Sequence, residues 1–341
     1  MAIEPVDALR RIAFLLERCR ASTYRVKAYR EAASTLLGLP EAEVRARVRA
    51  GTLRELAGIG PSTATVVEEA AAGRVPAKLA ELERTAGGPL VEGGDTVRQA
   101  LRGDLHSHSD WSDGGSPIEE MVATAVELGH DYLALTDHSP RLRVANGLSA
   151  ARLARQLTVV DGINAALGDS FTLLKAIEVD ILDDGSLDQS PELLDRLDVR
   201  VASVHSKLRM DSPAMTRRMV AAVRLPQTNV LGHCTGRLVT GGRGTRPPST
   251  FDAAAVFEAC RESGTAVEIN SRPERTDPPD DLLSLAVEVG CLFALDTDAH
   301  APGQLDFLAY GCERAERLGV PLDRIVNTWP LPRLLAWAAP C

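Results

Sequence analysis

The sequence predicts a barrel-type α/β fold built from repeated strand–helix units and preceded by a small all-α domain. Three observations carry that expectation. From about residue 100 onward, short apolar runs alternate with amphipathic stretches of helix length. Six of the seven histidines follow those apolar runs directly, and strand C-terminal ends are where a βα barrel presents its functional groups. Ahead of them, residues 5–85 show helical periodicity and turn breakers only.

A length of 341 residues suggests two domains, and 45% hydrophobic with 25% charged residues is a globular balance. The net charge of −9 is unevenly spread: residues 1–90 hold 14 Lys+Arg against 11 Asp+Glu, the remainder 24 against 36. A mildly basic front and an acidic back suggest two different jobs. The six cysteines, Cys19, Cys234, Cys260, Cys291, Cys312 and Cys341, form no C-x-x-C pair and no disulfide-like spacing, which fits a cytoplasmic setting. The N-terminus lacks the apolar core of a signal peptide, and no apolar run is long enough to span a bilayer.

In the front part, Leu9, Ile12, Ala13, Leu16 and Cys19 recur at helical spacing and predict a helix over 5–20. A second helix over 26–37 ends at Gly38-Leu39-Pro40, and a short charged one covers 41–50. Leu53 and Leu56 should then face inward, Gly58-Ile59-Gly60 should form a tight turn, and a helix should run over 62–72. Helix, Gly-hydrophobe-Gly, helix is the helix-hairpin-helix pattern. Its glycines let backbone approach a phosphate, and the next helix offers free N–H groups at its start. Gly58, Gly60 and Ser62 are therefore the candidate DNA contacts; a plain helix–helix turn is the alternative reading.

This stretch resembles the small N-terminal domain of family X DNA polymerases, through YRVKAYREAASTL (24–36) and LRELAGIGPSTATVVEEAAAGRVPAKLAEL (53–82). Relatives with lyase activity carry a nucleophilic lysine where Val66 stands here, and a phosphate-binding lysine near Ser62. Only Lys27 and Lys78 occur in this domain, so lyase activity is not expected and the grip on phosphate should be weakened. The domain is assigned to 1–85 and a Gly-rich linker, opening AGGPLVEGGDT, to 86–99. The resemblance would put a palm and fingers between the two parts; the chain has no room for them, and polymerase activity is not expected.

The back part, 100–341, holds the chemistry. Apolar runs lead into His106 and His108, into Asp137-His138, into His205, into His233, and into Asp298-Ala299-His300; another run, 173–177, ends at Glu178. His130 precedes a strand and reads as a surface or capping residue. Helices are expected over 117–128, 149–166, 190–197, 212–223, 250–263, 278–289 and 321–338. Any one of these histidines could be a satisfied core residue, but six at strand ends, with carboxylates among them, suit divalent Zn²⁺, Mn²⁺ or Fe²⁺.

The ordered set resembles the PHP family, the polymerase and histidinol phosphatase superfamily, through DLHSHSDWSDG (104–114), LTDHS (135–139), SVHSK (203–207), GHCTGRL (232–238), EINSRPERTDPPD (268–280) and DTDAH (296–300). The resemblance implies a distorted (β/α)7 TIM-like barrel and a trinuclear metal site. One ion would take His106, His108, Glu178 and Asp298. A second would share Glu178 with His205 and His233, and a third would take Asp113, His138 and His300. Asp110 competes with Asp113 and Asp296 with Asp298; family spacing and the D-x-H pattern favour the residues named. The implied chemistry is hydrolysis of a phosphate ester by metal-activated water, with Arg237 and Lys207 as catalytic cations. Arg141, Arg272 and Arg275 are candidate substrate contacts, with Arg143 beside Arg141. The substrate would be DNA, held through 1–85, or a small phosphate ester; no membrane partner is expected. A non-enzymatic DNA-binding protein with a relic metal site is the remaining alternative.

Overall fold

The computed structural model describes residues 3–242 and 244–340, which form two compact units: one runs up to Pro89 and includes Pro302–Gln304, and the other comprises Leu90–Ala301 and the residues from Leu305 on. In the first, α1 (Pro5–Arg18), α2 (Thr23–Leu37), α3 (Glu41–Ala50), α4 (Pro61–Ala71) and α5 (Ala77–Ala86) surround a core centred on α1. Pro5 opens α1 with its fixed φ and Asp7 complements the helix dipole. Leu9, Ile12, Ala13 and Leu16 are buried as their spacing predicts. Arg30 of α2 makes a two-pronged, largely buried ion pair with Glu17 of α1 (2.9 and 2.7 Å), which fixes the register of the two helices. Leu53 is buried, but Leu56 is only half-buried; Ile59, between the glycines, fills the core instead.

The second unit contains seven parallel strands paired in sequence order: β1 (Gly103–Ser107), β2 (Tyr132–Leu135), β3 (Thr172–Asp180), β4 (Val199–Ser203), β5 (Val230–Leu231), β6 (Ala266–Asn270) and β7 (Phe293–Asp296). They form a nearly closed, distorted TIM-type barrel. Across the seam the Leu105 amide donates to Asp296 Oδ1 (2.9 Å), the His108 amide donates to Ala299 O (2.8 Å), and Ser107 bridges Ala299. Helices α6 (Asp95–Ala100), α7 (Ile118–Glu127), α8 (Ala150–Leu167), α9 (Pro191–Leu194), α10 (Ser212–Val223), α11 (Ala253–Ser263), α12 (Asp280–Val289), α13 (Leu308–Arg317) and α14 (Leu331–Ala338) complete the unit. Among the described residues, no helix is long and apolar enough to cross a membrane.

Three stretches differ from expectation. The single helix over 321–338 is instead two short 3₁₀ turns followed by α14, because Pro321 and Pro330 each precede a new turn and proline cannot donate within a helix. Helix α13 was not expected at all. Within 86–99, where a linker was expected, α6 packs on α13.

Strand parity positions the site. Leu174 and Ala176 of β3, Val199 and Val201 of β4, Ala266 of β6 and Ala294 of β7 share one apolar cluster with Trp329, Leu334 and Ala338 around α14. Continuing each strand by twos along this inner face reaches Glu178 and Asp180, Ser203 and His205, Glu268 and Asn270, and Asp296 and Asp298. The inner face is thus apolar at the floor and titratable at the mouth. The opposite face, including Ile177, Ile269, Phe293 and Leu295, packs against the helices.

Candidate metal centre

β1 reaches the same mouth by an irregularity. Asp104 pairs with Leu133 and Ser107 with Leu135, so β1 carries one extra residue over that interval. The bulge reverses parity and brings His106 and His108 to the inner face. Rings of His106, His108, His138, His205, His233 and His300 then lie in a chain of neighbours with centroids 4.3–6.4 Å apart.

Three groups of donor atoms are close enough to hold an ion: His108, Asp113, His138 and His300; His106, His108 and Asp298; and His138, Glu178 and His205. Glu178 is the hub. Its Oε2 lies 3.3 Å from His106 Nε2 and 3.6 Å from His108 Nε2; its Oε1 lies 3.2 Å from His205 Nε2 and 2.8 Å from His233 Nε2. Asp298 Oδ1 stands 3.4 Å from His108 Nε2, and Asp113 Oδ1 stands 3.4 Å from both His138 Nε2 and His300 Nε2. Ligands about 2.0–2.1 Å from a tetrahedral ion are about 3.3 Å from one another, so these spacings suit a shared cation. Compared with the sets the resemblance implies, His108 and His138 each belong to two groups, while His233 meets the cluster through Glu178.

The polar inventory points the same way. His106 Nε2, both ring nitrogens of His108, Asp113 Oδ1, Glu178 Oε2 and His205 Nε2 are buried without a hydrogen-bond partner. Such atoms are costly unless a partner is supplied. Burial opposes ionisation of Glu178, yet the surrounding His205, His138 and His106 hold its pKa well below the carboxylate range. Burial likewise disfavours charge on His138, but Glu178 and Asp113 push it up to about 10. His108 is driven down to about 3 by burial and by His300 and His138 beside it. Carboxylates and imidazoles this interdependent trade protons for a cation when one binds.

The rim carries the candidate cations. Arg275 Nε donates to Asp298 Oδ2 (2.8 Å), while its Nη1 is buried without a partner. Arg272 Nη1 donates to Asp298 O (2.7 Å) and His300 Nδ1 (2.9 Å). Arg237 is turned away from the cluster: its guanidinium donates to the carbonyls of Arg275 and Thr276 and so braces their loop. Lys207 is mostly exposed and paired with Asp183 at 2.5 Å. Arg141 and Arg143 are exposed on the loop after β2. A cleft of about 250 Å³ between residues 238–242 and 272–275 opens on Asp298 and His300.

The competing acids separate cleanly. Asp110 is exposed, whereas Asp113 is in the cluster. Asp296 holds the barrel seam, accepting from the Leu105 amide and from Asn327 Nδ2 (both 2.9 Å). His130 is buried rather than at the surface, and burial with nearby Arg98 lowers its pKa to about 4. Several supporting carboxylates were not anticipated. Asp137 accepts from Ser109, Ser112 and Gln156 and so pins the loop carrying Asp113. Asp180 meets His205 Nδ1, and Glu268 meets His106 Nδ1. Their positions two residues from Glu178 and Asn270, on the same strand face, were the available signal.

In the helical unit, Gly58 has φ +80° and a Cβ there would lie 3.1 Å from Thr35 Oγ1, so the turn itself requires glycine. At Gly60 φ is ordinary and nothing lies within 4 Å of a Cβ, so its space is left open. The Gly60 amide donates to Thr63 Oγ1 (2.9 Å). Ser62 is exposed at the start of α4, and Val66 is buried in the core.

Residues 104–272 match the PHP domain family, and residues 3–74 match a helix-hairpin-helix domain family. Over 227 residues the chain is 36% identical to the DNA polymerase/3'-5' exonuclease PolX of Bacillus subtilis (strain 168), covering 67% of this chain and 39% of that protein. The chain thus spans about two fifths of that relative's length. It is 25% identical over 237 residues to a probable phosphatase of Thermoanaerobacter sp. (strain X514), covering 66% of this chain and 89% of the relative. A solved structure of histidinol phosphate phosphatase from Lactococcus lactis subsp. lactis, complexed with zinc, L-histidinol and phosphate, is similar at TM-score 0.46 and 19% identity, over 64% of this chain and 92% of that one.

Proposed function

Because one chain carries both a PHP domain and a helix-hairpin-helix domain, we propose that it is a divalent-metal phosphoesterase acting on DNA, at a 3′ end or an abasic site. The observation that carries this reading is the set of buried, partnerless donor atoms on His106, His108, Asp113, Glu178 and His205. His106, His108, Glu178 and Asp298 would hold one ion, Glu178, His205 and His233 a second, and Asp113, His138 and His300 a third; zinc, manganese or iron(II) suits such donors. Bound there, the ions would supply a water of lowered pKa as nucleophile and positive charge to offset the phosphoryl oxygens.

The chain's own residues have distinct tasks in this reading. Arg275 binds a phosphoryl oxygen through Nη1 while its Nε steadies Asp298. Arg272 orients His300, and Arg237 braces the loop that presents both arginines. Asp137 keeps the Asp113 loop in place. Lys207, Arg141 and Arg143 offer charge at the rim for a substrate backbone. At the helical domain, the start of α4 at Ser62 and the open space at Gly60 receive a DNA phosphate.

A second reading, hydrolysis of a small phosphate ester, is favoured by the small cleft of about 250 Å³ beside Asp298 and His300. One panel separates the two: DNA bearing a 3′-hydroxyl, a 3′-phosphate or an abasic site, alongside histidinol phosphate, each with Mn²⁺ and with chelator. Mn²⁺-dependent turnover on one of the DNA substrates, exceeding that on histidinol phosphate, is expected. The reverse preference would transfer the assignment to the small-molecule phosphatase, and no turnover on any substrate would leave the relic-site alternative.

A further inference from the structure

Glu268 lies on the inner face of β6, fully buried beneath the cluster. Its two oxygens are committed in different directions. Oε1 is 2.5 Å from His106 Nδ1, on the strand across the seam side of the barrel. Oε2 accepts the His233 backbone N–H at 2.5 Å, at the end of the neighbouring β5, and also faces Asn270 Nδ2 at 3.2 Å. A carboxylate at Nδ1 keeps the ring proton there and leaves Nε2 with its lone pair. His106 Nε2 is the atom that faces Glu178 and Asp298. The second bond fixes the backbone from which His233 reaches Glu178 Oε1.

We infer that Glu268 is a positioning residue that couples two ion positions, setting the tautomer of His106 with one oxygen and the strand end of His233 with the other. The inference rests on the metal-centre reading and adds to it a residue that is not itself a ligand. Glutamine cannot replace it. An amide offers one acceptor and one donor, so either its NH₂ meets the His233 N–H, donor against donor, or it meets His106 Nδ1. In the second case the ring must accept at Nδ1, and its proton moves to Nε2, the atom needed for the ion. Either orientation damages one of the two positions.

The test uses the full chain, stripped with chelator and titrated with Zn²⁺ against a chromophoric competitor, as wild type, Glu268→Gln and Glu268→Asp. Both variants should keep the wild-type circular dichroism spectrum and weaken at least one bound ion about 10–100-fold, the usual cost of losing the partner of a metal-bound histidine. Long-range ¹H–¹⁵N spectra of the zinc-loaded wild type should show His106 ligated through Nε2 with a protected Nδ1–H, and Glu268→Gln should either lose that signal or keep it with a shifted His233 backbone amide, according to which way the amide turns. Wild-type affinity and ion count in Glu268→Gln would overturn the inference while leaving the metal centre intact. Should the variants not fold, the wild-type spectrum decides alone: a His106 without a proton on Nδ1 overturns it. A wild-type chain that binds no zinc would bring down the metal-centre reading itself, and this inference with it.

Discussion

The barrel mouth and the hairpin turn are the two places where the proposed function has this chain meet a phosphate, and they are built from opposite materials. At the mouth the donors are side chains: eight imidazoles and carboxylates stand close enough together to hold ions, and atoms on His106, His108, Asp113, Glu178 and His205 are buried without a hydrogen-bond partner. At the turn it lies in the backbone: the open space at Gly60 and the start of α4 at Ser62. Side-chain donors bind ions tightly and specifically, because each lost donor leaves a buried polar group unsatisfied. Backbone amides at a helix start bind phosphate weakly and without regard to sequence. The two regions should therefore respond very differently to single substitutions.

The largest effect is expected at the mouth. His106→Ala should lower turnover on DNA and on a small chromogenic phosphate ester alike, by about 10³-fold or some 4 kcal/mol of barrier, with DNA binding retained. Turnover near wild type on either substrate would dissolve the contrast between the regions. Glu178→Gln comes next. Since Glu178 stands within 3.6 Å of His106, His108, His205 and His233, its loss should remove more than one ion per chain on metal analysis. Full metal content in that variant would show that the hub is not a bridge.

At the turn, Ser62→Glu sets a carboxylate where a phosphate should sit. It should raise KM on DNA about 10-fold at low salt, with a smaller change at high salt, and leave kcat on the small ester unchanged. Substrate and transition state share this contact, so its loss appears in KM. An unchanged KM on DNA would remove the main support for a nuclease and favour the small-ester reading.

The same contrast explains what could be read from the sequence. Side chains announce themselves: H-x-H, D-H and D-x-H after apolar runs marked the barrel and located the cluster. What stayed hidden depends on backbone geometry. The bulge in β1 that turns His106 and His108 inward leaves no residue signature. Glu268 and Asp180 looked like ordinary strand residues until parity placed them beneath the ligands. Arg237 looked catalytic by proximity to His233, yet its guanidinium goes to the carbonyls of Arg275 and Thr276. At the hairpin the two glycines look alike in sequence but do different things: Gly58 is required by its φ of +80°, whereas Gly60 is sterically free. The prolines at 321 and 330 each precede a new turn and break the helix that the periodicity of 321–338 alone predicts.

The smallest expected signal is an absence. Schiff-base chemistry at an abasic site needs an uncharged amine that can reach the sugar. Val66, where the lyase relatives carry their lysine, is 1% exposed and packs in the helical core. The two lysines of this domain are each in an ion pair, Lys27 with Glu31 at 3.4 Å and Lys78 with Glu81 at 2.8 Å. Each ammonium is thus held by a carboxylate of its own helix rather than presented to the sugar. Borohydride trapping of the full chain on abasic DNA should therefore yield no covalent adduct, even where the same DNA is bound or cut in the presence of Mn²⁺. Val66→Lys should not restore one either: it would place an ammonium in an apolar core, and its first consequence would be a loss of stability of several kcal/mol. An adduct with wild-type protein, abolished by Lys27→Ala or Lys78→Ala, would show that one of these amines is free enough to react. The turn would then join the mouth as a place where side chains do the chemistry.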